Sequence, residues 1–394
     1  MAILRSQFNQ ALTNIEISGT KADRAKAAHE EIRSVLEADD QLREWGVDTI
    51  LIGSYSRDTG IYPGKDVDVF VKLTKLDTEA KPKDVYGAVW DALVREYGDA
   101  SEGGRAIQQA RSIKVEVPDE DDPDDENAGF AVDAVPAVVD GFRWAIPTKD
   151  RSRWAGGTGR WVTTDPERFG SLSSTLSTSP SSPVVGGRNA YKPIVKLARQ
   201  ARRIHIGDRR PGGLYVEFMV YEAWNSGLVA GTEWDRLFAQ TLRRLADRLA
   251  IANWAPLIDP SLGTPVEPSL SEQDIADAAD TFRSLTELAD DALEAANCDA
   301  ATKWREILGS NDRADPVFPW PLRLRRKRDG CSCHGRRRGR RRLEDLDEPT
   351  DSRRHTMSRR RKPSRPGWSR PASSLSRGRG VVSGAARSIL PSYR

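Results

Sequence analysis

The chain has 394 residues, 38% of them hydrophobic and 30% charged, enough for two domains or one large domain with appendages. The net charge of +3 hides two opposite parts: residues 321–394 hold 21 Arg and 2 Lys against 6 acidic residues, whereas residues 1–320 hold 38 basic and 52 acidic ones. An acidic body argues against broad nucleic-acid binding by that part, and three cysteines exclude a disulfide framework. No stretch approaches the roughly 18–20 apolar residues of a membrane span, so a reducing, cytoplasmic setting is expected.

Residues 3–16 and 20–46 read as helices; in the second, Ala25, Ala28, Ile32, Val35 and Leu36 recur at helical spacing. Val47 to Ile52 is expected as a strand running into Gly53-Ser54. Residues 66–73 form the next strand, and 82–97 a helix with Val85, Val89, Ala92, Leu93 and Tyr97 on one stripe. Residues 112–117 alternate at period two, and 130–138 read as a second strand pairing with them as an antiparallel hairpin. The acidic loop between, Asp119 to Glu126, reads as a solvated tip. Residues 140–187 lack periodicity and read as a loop layer with short elements, in which Ser171 to Pro183 is expected to be mobile. Trp161 there is either an anchor holding the loop on the core or a nucleotide-proximal group. Four helices follow: a basic amphipathic one over 188–206, a buried one over 213–229, and amphipathic ones over 233–253 and 271–297.

The chemistry concentrates in the run Leu51 to Val71. The Gly53-Ser54 turn leaves backbone N–H groups free to face a phosphate. Asp66 and Asp68, at i and i+2 on a strand, point to one face and suit one or two Mg²⁺ ions held against a triphosphate. Asp133 interrupts the apolar run 130–138, and a buried, unpaired carboxylate is costly. A metal shared with Asp66 and Asp68 is its natural partner. Four histidines form no evident acid–base cluster, which fits metal-dependent transfer.

Gly-Ser followed at this distance by Asp66-Val67-Asp68 resembles the signature of the DNA polymerase β-like nucleotidyltransferases. Thr59 and the block Gly64-Lys65-Asp66-Val67-Asp68 are most similar to the bacterial cGAS/DncV-like enzymes, the SMODS group (CD-NTases). Asp133-Ala-Val-Pro-Ala137 resembles a stretch of that group, whose third carboxylate comes from a later strand. Gly213 to Glu217 resembles its "S-x-x-L-E" helix, and weaker echoes run to Phe318-Pro-Trp320. The resemblance implies an α+β fold: a mixed polymerase β-like sheet with flanking helices over 1–187, a helical domain over 188–321 that closes the nucleotide cleft, and a disordered Arg-rich tail over 322–394. It implies Mg²⁺ or Mn²⁺ on Asp66, Asp68 and Asp133, and nucleoside triphosphates as substrates held by Gly53, Ser54 and a cation on the 188–206 helix. Lys192, Lys196 and Arg199 all match that cation, and Lys196 is the preferred one.

The implied activity is template-independent synthesis of cyclic di- or oligonucleotide second messengers in antiphage signalling, reaching a downstream effector through the product. Two other readings stay open at this point: a nucleotidyltransferase acting on an RNA end, a protein or a small molecule, and a non-catalytic nucleic-acid-binding protein. Nucleic acid enters only if the Arg-rich tail is genuine rather than frame-shifted sequence. Cys331-Ser-Cys-His334 lacks a second ligand pair for structural zinc.

Overall fold

The structure is a computed structural model. It describes residues 4–321 except 18, 65, 119–128, 157, 251–254, 267–269 and 312. The expectations for Lys65, the acidic loop, the Cys331–His334 cluster and the tail lie outside the described residues.

In chain order the elements are α1 (Arg5–Ile15), α2 (Gly19–Ala38), α3 (Asp40–Glu44), β1 (Val47–Ile52), α4 (Gly53–Ser56), β2 (Asp66–Asp77) and α5 (Pro82–Tyr97). Then come β3 (Ala106–Gln108), β4 (Ile113–Val117), β5 (Phe130–Asp140), β6 (Arg143–Pro147), β7 (Trp161–Thr164), α6 (Pro166–Thr178), β8 (Val184–Val185) and β9 (Arg188–Asn189). The remainder is helical: α7 (Tyr191–His205), α8 (Gly213–Asn225), α9 (Trp234–Leu249), α10 (Glu272–Glu294) and α11 (Asn297–Leu308).

The main sheet runs β1-β2-β5-β4-β3, with β6 joined to β5 and β7 to β6. It is mixed: β2 and β5 are parallel, and the other pairs are antiparallel, including the expected β4–β5 hairpin. Alternation decides what each face of β2 does. Val67, Val69, Val71 and Leu73 are fully buried against α2 and α5, through Ala25, Ile32, Leu36, Val85, Val89 and Leu93. Each such side chain contributes about 1.5–3 kcal/mol of burial, which sets the register of β2 firmly. The opposite face carries Asp66, Asp68, Phe70 and Lys72, and Phe70 packs edge-on against Trp144, with ring centroids 6.1 Å apart.

A second core joins the later helices: Tyr191 and Ile194 of α7, Phe218 of α8, Trp234 and Phe238 of α9, Phe282 of α10 and Trp304 of α11. α1 belongs to it as well, with Phe8 packed edge-on against both Trp304 and Phe318. Phe169 of α6 also joins this core, so the two cores do not divide at residue 187.

Four expectations need correction. The helix expected over 20–46 is broken at Asp39, whose carboxylate accepts from Leu42 N at 2.9 Å and starts α3. The strand expected to end at residue 73 continues to Asp77. The helix expected from 188 begins at Tyr191, because Arg188 and Asn189 pair with Val184 and Val185. Most of the Ser/Thr-rich stretch expected to be mobile is helix α6. Asp165 caps it by accepting from Arg168 N at 3.0 Å, Pro166 occupies its first turn, and Phe169, Ser173 and Ser177 form its buried face. Small serines on that face allow close packing, and for that reason no apolar stripe marks the helix. Trp161 takes the anchoring role: its indole N–H donates to Ala80 O at 3.1 Å.

Candidate active site

The three aspartates meet at one end of two adjacent parallel strands. Asp68 lies directly beside Asp133 in the β2–β5 register, and Asp66 is two residues upstream on the same face. Asp66 is exposed, while Asp68 and Asp133 are partly buried. Burial pushes the Asp68 carboxyl up from its ordinary value, and neighbouring Asp66 adds to this, while Arg57 and Arg199 oppose it. Asp133 is pushed up to about 6 by burial and then by Asp68 and Asp66, with Lys114 opposing.

The Gly53-Ser54 turn is built onto this pair. Gly53 has φ +72, and a Cβ there would stand 2.0 Å from Asp68 Oδ2, so the backbone itself lies against the carboxylate. Ser54 O accepts from Thr59 N at 2.9 Å and Gly60 N at 3.1 Å, which folds the following loop back over α4. Tyr55 OH donates to Gly64 O at 2.8 Å and ties the loop to the start of β2.

Ser54 also lines a cavity of about 340 Å³ together with Glu16, Tyr55, Asp58, Arg188 and Lys196. None of the three aspartates lines it; the turn is the shared element. Lys196 is buried there, and its Nζ donates to Asp58 Oδ1 at 2.8 Å and Glu16 Oε1 at 3.3 Å. Arg199, three residues on, instead donates to Thr59 O at 3.1 Å and lies 3.8 Å from Glu217 Oε2. The structure thus places Lys196 beside Ser54 and Arg199 behind the loop that follows it.

Three further residues stand out only in three dimensions. Glu217 of α8 is fully buried and takes Arg57 as a bidentate partner, Nε at 2.8 Å and Nη2 at 3.1 Å, while Thr59 Oγ1 donates to it at 3.1 Å. Asp58 supplies the Lys196 partner from a left-handed backbone conformation, φ +55. A glutamate amid Val216, Phe218, Met219 and Val220 is the sequence signal for a buried charge in need of a cation, but its partner lies 160 residues away.

The carboxylates fit a divalent cation. Asp133 Oδ1 is buried with no hydrogen-bond partner, and a cation would satisfy it. As the side chains stand, no group of three or more His, Cys, Asp and Glu among the described residues is arranged to hold an ion. Asp133 also carries a stability consequence. Its raised pKa means the native fold is favoured below about pH 4, and that contribution is lost as pH rises through about 6. Asp133→Asn is therefore expected to raise Tm by about 2 °C above that range, a gain on the order of 1 kcal/mol after screening by water, and to lose the advantage near pH 4. Calorimetry of both proteins across pH checks this; a lower Tm for the variant at pH 8 would contradict it.

Residues 1–173 match the family model described as "Second Messenger Oligonucleotide or Dinucleotide Synthetase domain" (SMODS). The SMODS match thus spans the part of this chain that holds Gly53, Ser54 and the three aspartates. Among curated proteins it is similar to a cyclic AMP-AMP-AMP synthase of Acinetobacter sp., 28% identical over 328 residues, covering 78% of this chain and 84% of that one. Among solved structures, E. coli MS115-1 CdnC with ATP matches at TM-score 0.60 and 16% identity, covering 80% of this chain and 98% of that one. Vibrio cholerae DncV, a cyclic AMP-GMP synthase, matches at 0.55 and 12%, covering 78% and 97%. These likenesses establish the polymerase β-like fold of this chain. Among the described residues, no helix is long and apolar enough to cross a membrane.

Proposed function

We propose that this SMODS protein is a template-independent nucleotidyltransferase that joins nucleoside triphosphates into a cyclic di- or oligonucleotide, acting in the cytoplasm in antiphage signalling. The observation that carries the reading is the Asp68–Asp133 pair in register, with the Gly53 backbone pressed against Asp68. The Acinetobacter relative named as a cyclic AMP-AMP-AMP synthase supports a cyclic product.

Asp66, Asp68 and Asp133 would hold Mg²⁺ or Mn²⁺. Such ions, when bound, neutralise triphosphate charge and make a ribose hydroxyl a better nucleophile. The chain's own residues supply the positioning. Gly53 and Ser54 present backbone and hydroxyl to the β/γ-phosphates, and lacking a side chain at 53 brings the phosphates close to Asp68. Lys196, beside Ser54, supplies positive charge to the triphosphate by exchanging its carboxylate partners for phosphate oxygens. An acceptor ribose hydroxyl attacks the α-phosphorus; the new O–P bond forms, the bond to pyrophosphate breaks, and the hydroxyl proton is released. Repetition with the linear product turned in the cleft closes the ring. A downstream effector would meet the product, not the protein.

The test is incubation with the four nucleoside triphosphates and Mg²⁺, followed by phosphatase. The expected result is a phosphatase-resistant product, absent with Asp66→Asn/Asp68→Asn. Product that is wholly phosphatase-sensitive would overturn cyclisation.

A further inference from the structure

A second cavity, of about 480 Å³, lies between α6, the loop that follows it and α8, and shares no lining residue with the cavity beside Ser54. Its walls are the aliphatic Leu172 and Leu176 of α6 and the rings of Tyr221 and Trp224 of α8. The Trp224 indole N–H already donates to Thr241 Oγ1 at 3.0 Å, so this ring offers the cavity its carbon surface. Ser182 closes one side. It is 8% exposed, and its Oγ is buried with no hydrogen-bond partner among the described residues. The rest of its loop is satisfied: Ser182 N donates to Ser179 O at 2.9 Å, and the Ser179 and Ser181 hydroxyls bond one another at 2.8 Å. Among the described residues, no lining side chain of this cavity is charged, whereas Glu16, Asp58, Arg188 and Lys196 line the other one.

We propose that this second cavity binds a neutral molecule with a flat heteroaromatic ring. The lining decides the class. Without a cation it cannot neutralise a phosphate, and without an acid it cannot hold an amine, so a charged ligand would be desolvated there with no return. Two aromatic side chains over aliphatic walls suit a flat ring. A pure hydrocarbon would leave the Ser182 hydroxyl unsatisfied, whereas a ring nitrogen or N–H supplies the missing bond. The volume falls in the range of small-molecule sites, roughly 300–1,000 Å³. Water alone in the cavity is the simpler occupant. It too would satisfy Ser182, but it predicts no saturable binding of an organic ring. The site is independent of the reading of the three aspartates, because none of them lines it.

The probe is indole, an uncharged flat ring with an N–H donor, titrated onto the full-length protein by saturation-transfer NMR. Its companion is 1-methylindole, which lacks that donor. Indole is expected to bind saturably with a Kd on the order of 1 mM, as suits so small a ligand. Ser182→Ala is expected to weaken indole about fivefold and to leave 1-methylindole within about twofold. Because the native hydroxyl has no partner, this variant keeps or raises the Tm of the free protein. Thr175→Trp and Ala230→Trp each bring a ring into the cavity from an exposed position, so the fold is kept, as thermal unfolding checks. At least one of them is expected to weaken both probes by about tenfold or more. No saturable binding by the parent up to about 20 mM would leave water as the occupant and overturn the site. Equal indole affinity in parent and Ser182→Ala would overturn it as well. So would binding that survives both tryptophan variants, because indole would then sit elsewhere.

Discussion

Asp68→Asn is expected to lower pyrophosphate release by at least about a thousandfold, about 4 kcal/mol of transition-state stabilisation. Asp68 is the residue on which the site converges: it stands beside Asp133 in the parallel register, shares a face with Asp66 and has the Gly53 backbone against it. An amide of the same shape keeps the packing but offers one weakly ligating oxygen and no charge. The fold should survive, because burial and Asp66 already hold the native Asp68 carboxyl above its ordinary value. Removal of that charge relieves the native state rather than straining it. Loss of turnover with an unchanged or higher Tm is therefore the expected pair of results. Retention of more than a tenth of the parent rate would mean that the chemistry lies elsewhere.

The second large effect is expected from Gly53→Ala. Two costs meet at this position. The left-handed backbone, φ +72, opposes any Cβ by about 1–2 kcal/mol. The new methyl would also stand 2.0 Å from Asp68 Oδ2 and 2.9 Å from its Cγ, which no real contact tolerates. The carboxylate or the turn must shift, and displacement of about 1 Å at a reacting centre costs on the order of a hundredfold in rate. Gly141→Ala separates the two costs. It has φ +62 and open space around the added Cβ, so it carries the backbone penalty without touching an aspartate. Steady-state kinetics and thermal unfolding of both variants decide the matter. Similar destabilisation is expected, with activity lost only at Gly53. Equal activity in the two variants would refute the contact between turn and carboxylate as a requirement.

Much of the catalytic half was legible because its signals are short-range. β1, α5 and the β4–β5 hairpin follow from period-two and period-3.6 patterns. The cost of burying Asp133 was legible for a related reason: an acid inside an apolar strand stands out, and its Oδ1 is buried without a hydrogen-bond partner. α6 was not legible, because its buried face is Phe169, Ser173 and Ser177, and serine carries no hydrophobic period. The break at Asp39 was missed because a mid-pattern Asp reads equally well as a solvent-facing helix residue and as a cap.

The cation assignments show the limit more sharply. Lys196 and Arg199 are three apart on α7 and share a helix face, so periodicity cannot tell their roles apart. Packing gives them different contacts: Lys196 enters the cavity beside Ser54, and Arg199 turns to Thr59 O and Glu217. Local order along the chain determined the chemical kit of this protein, a Gly-Ser turn and three aspartates on strands, because alternation along a strand and the cost of a buried acid act over a few residues. Which of its many charges meet was decided only by the tertiary structure. Arg57 and Glu217 are 160 residues apart, and their pairing exists because the sheet and helical cores bring α4 and α8 together.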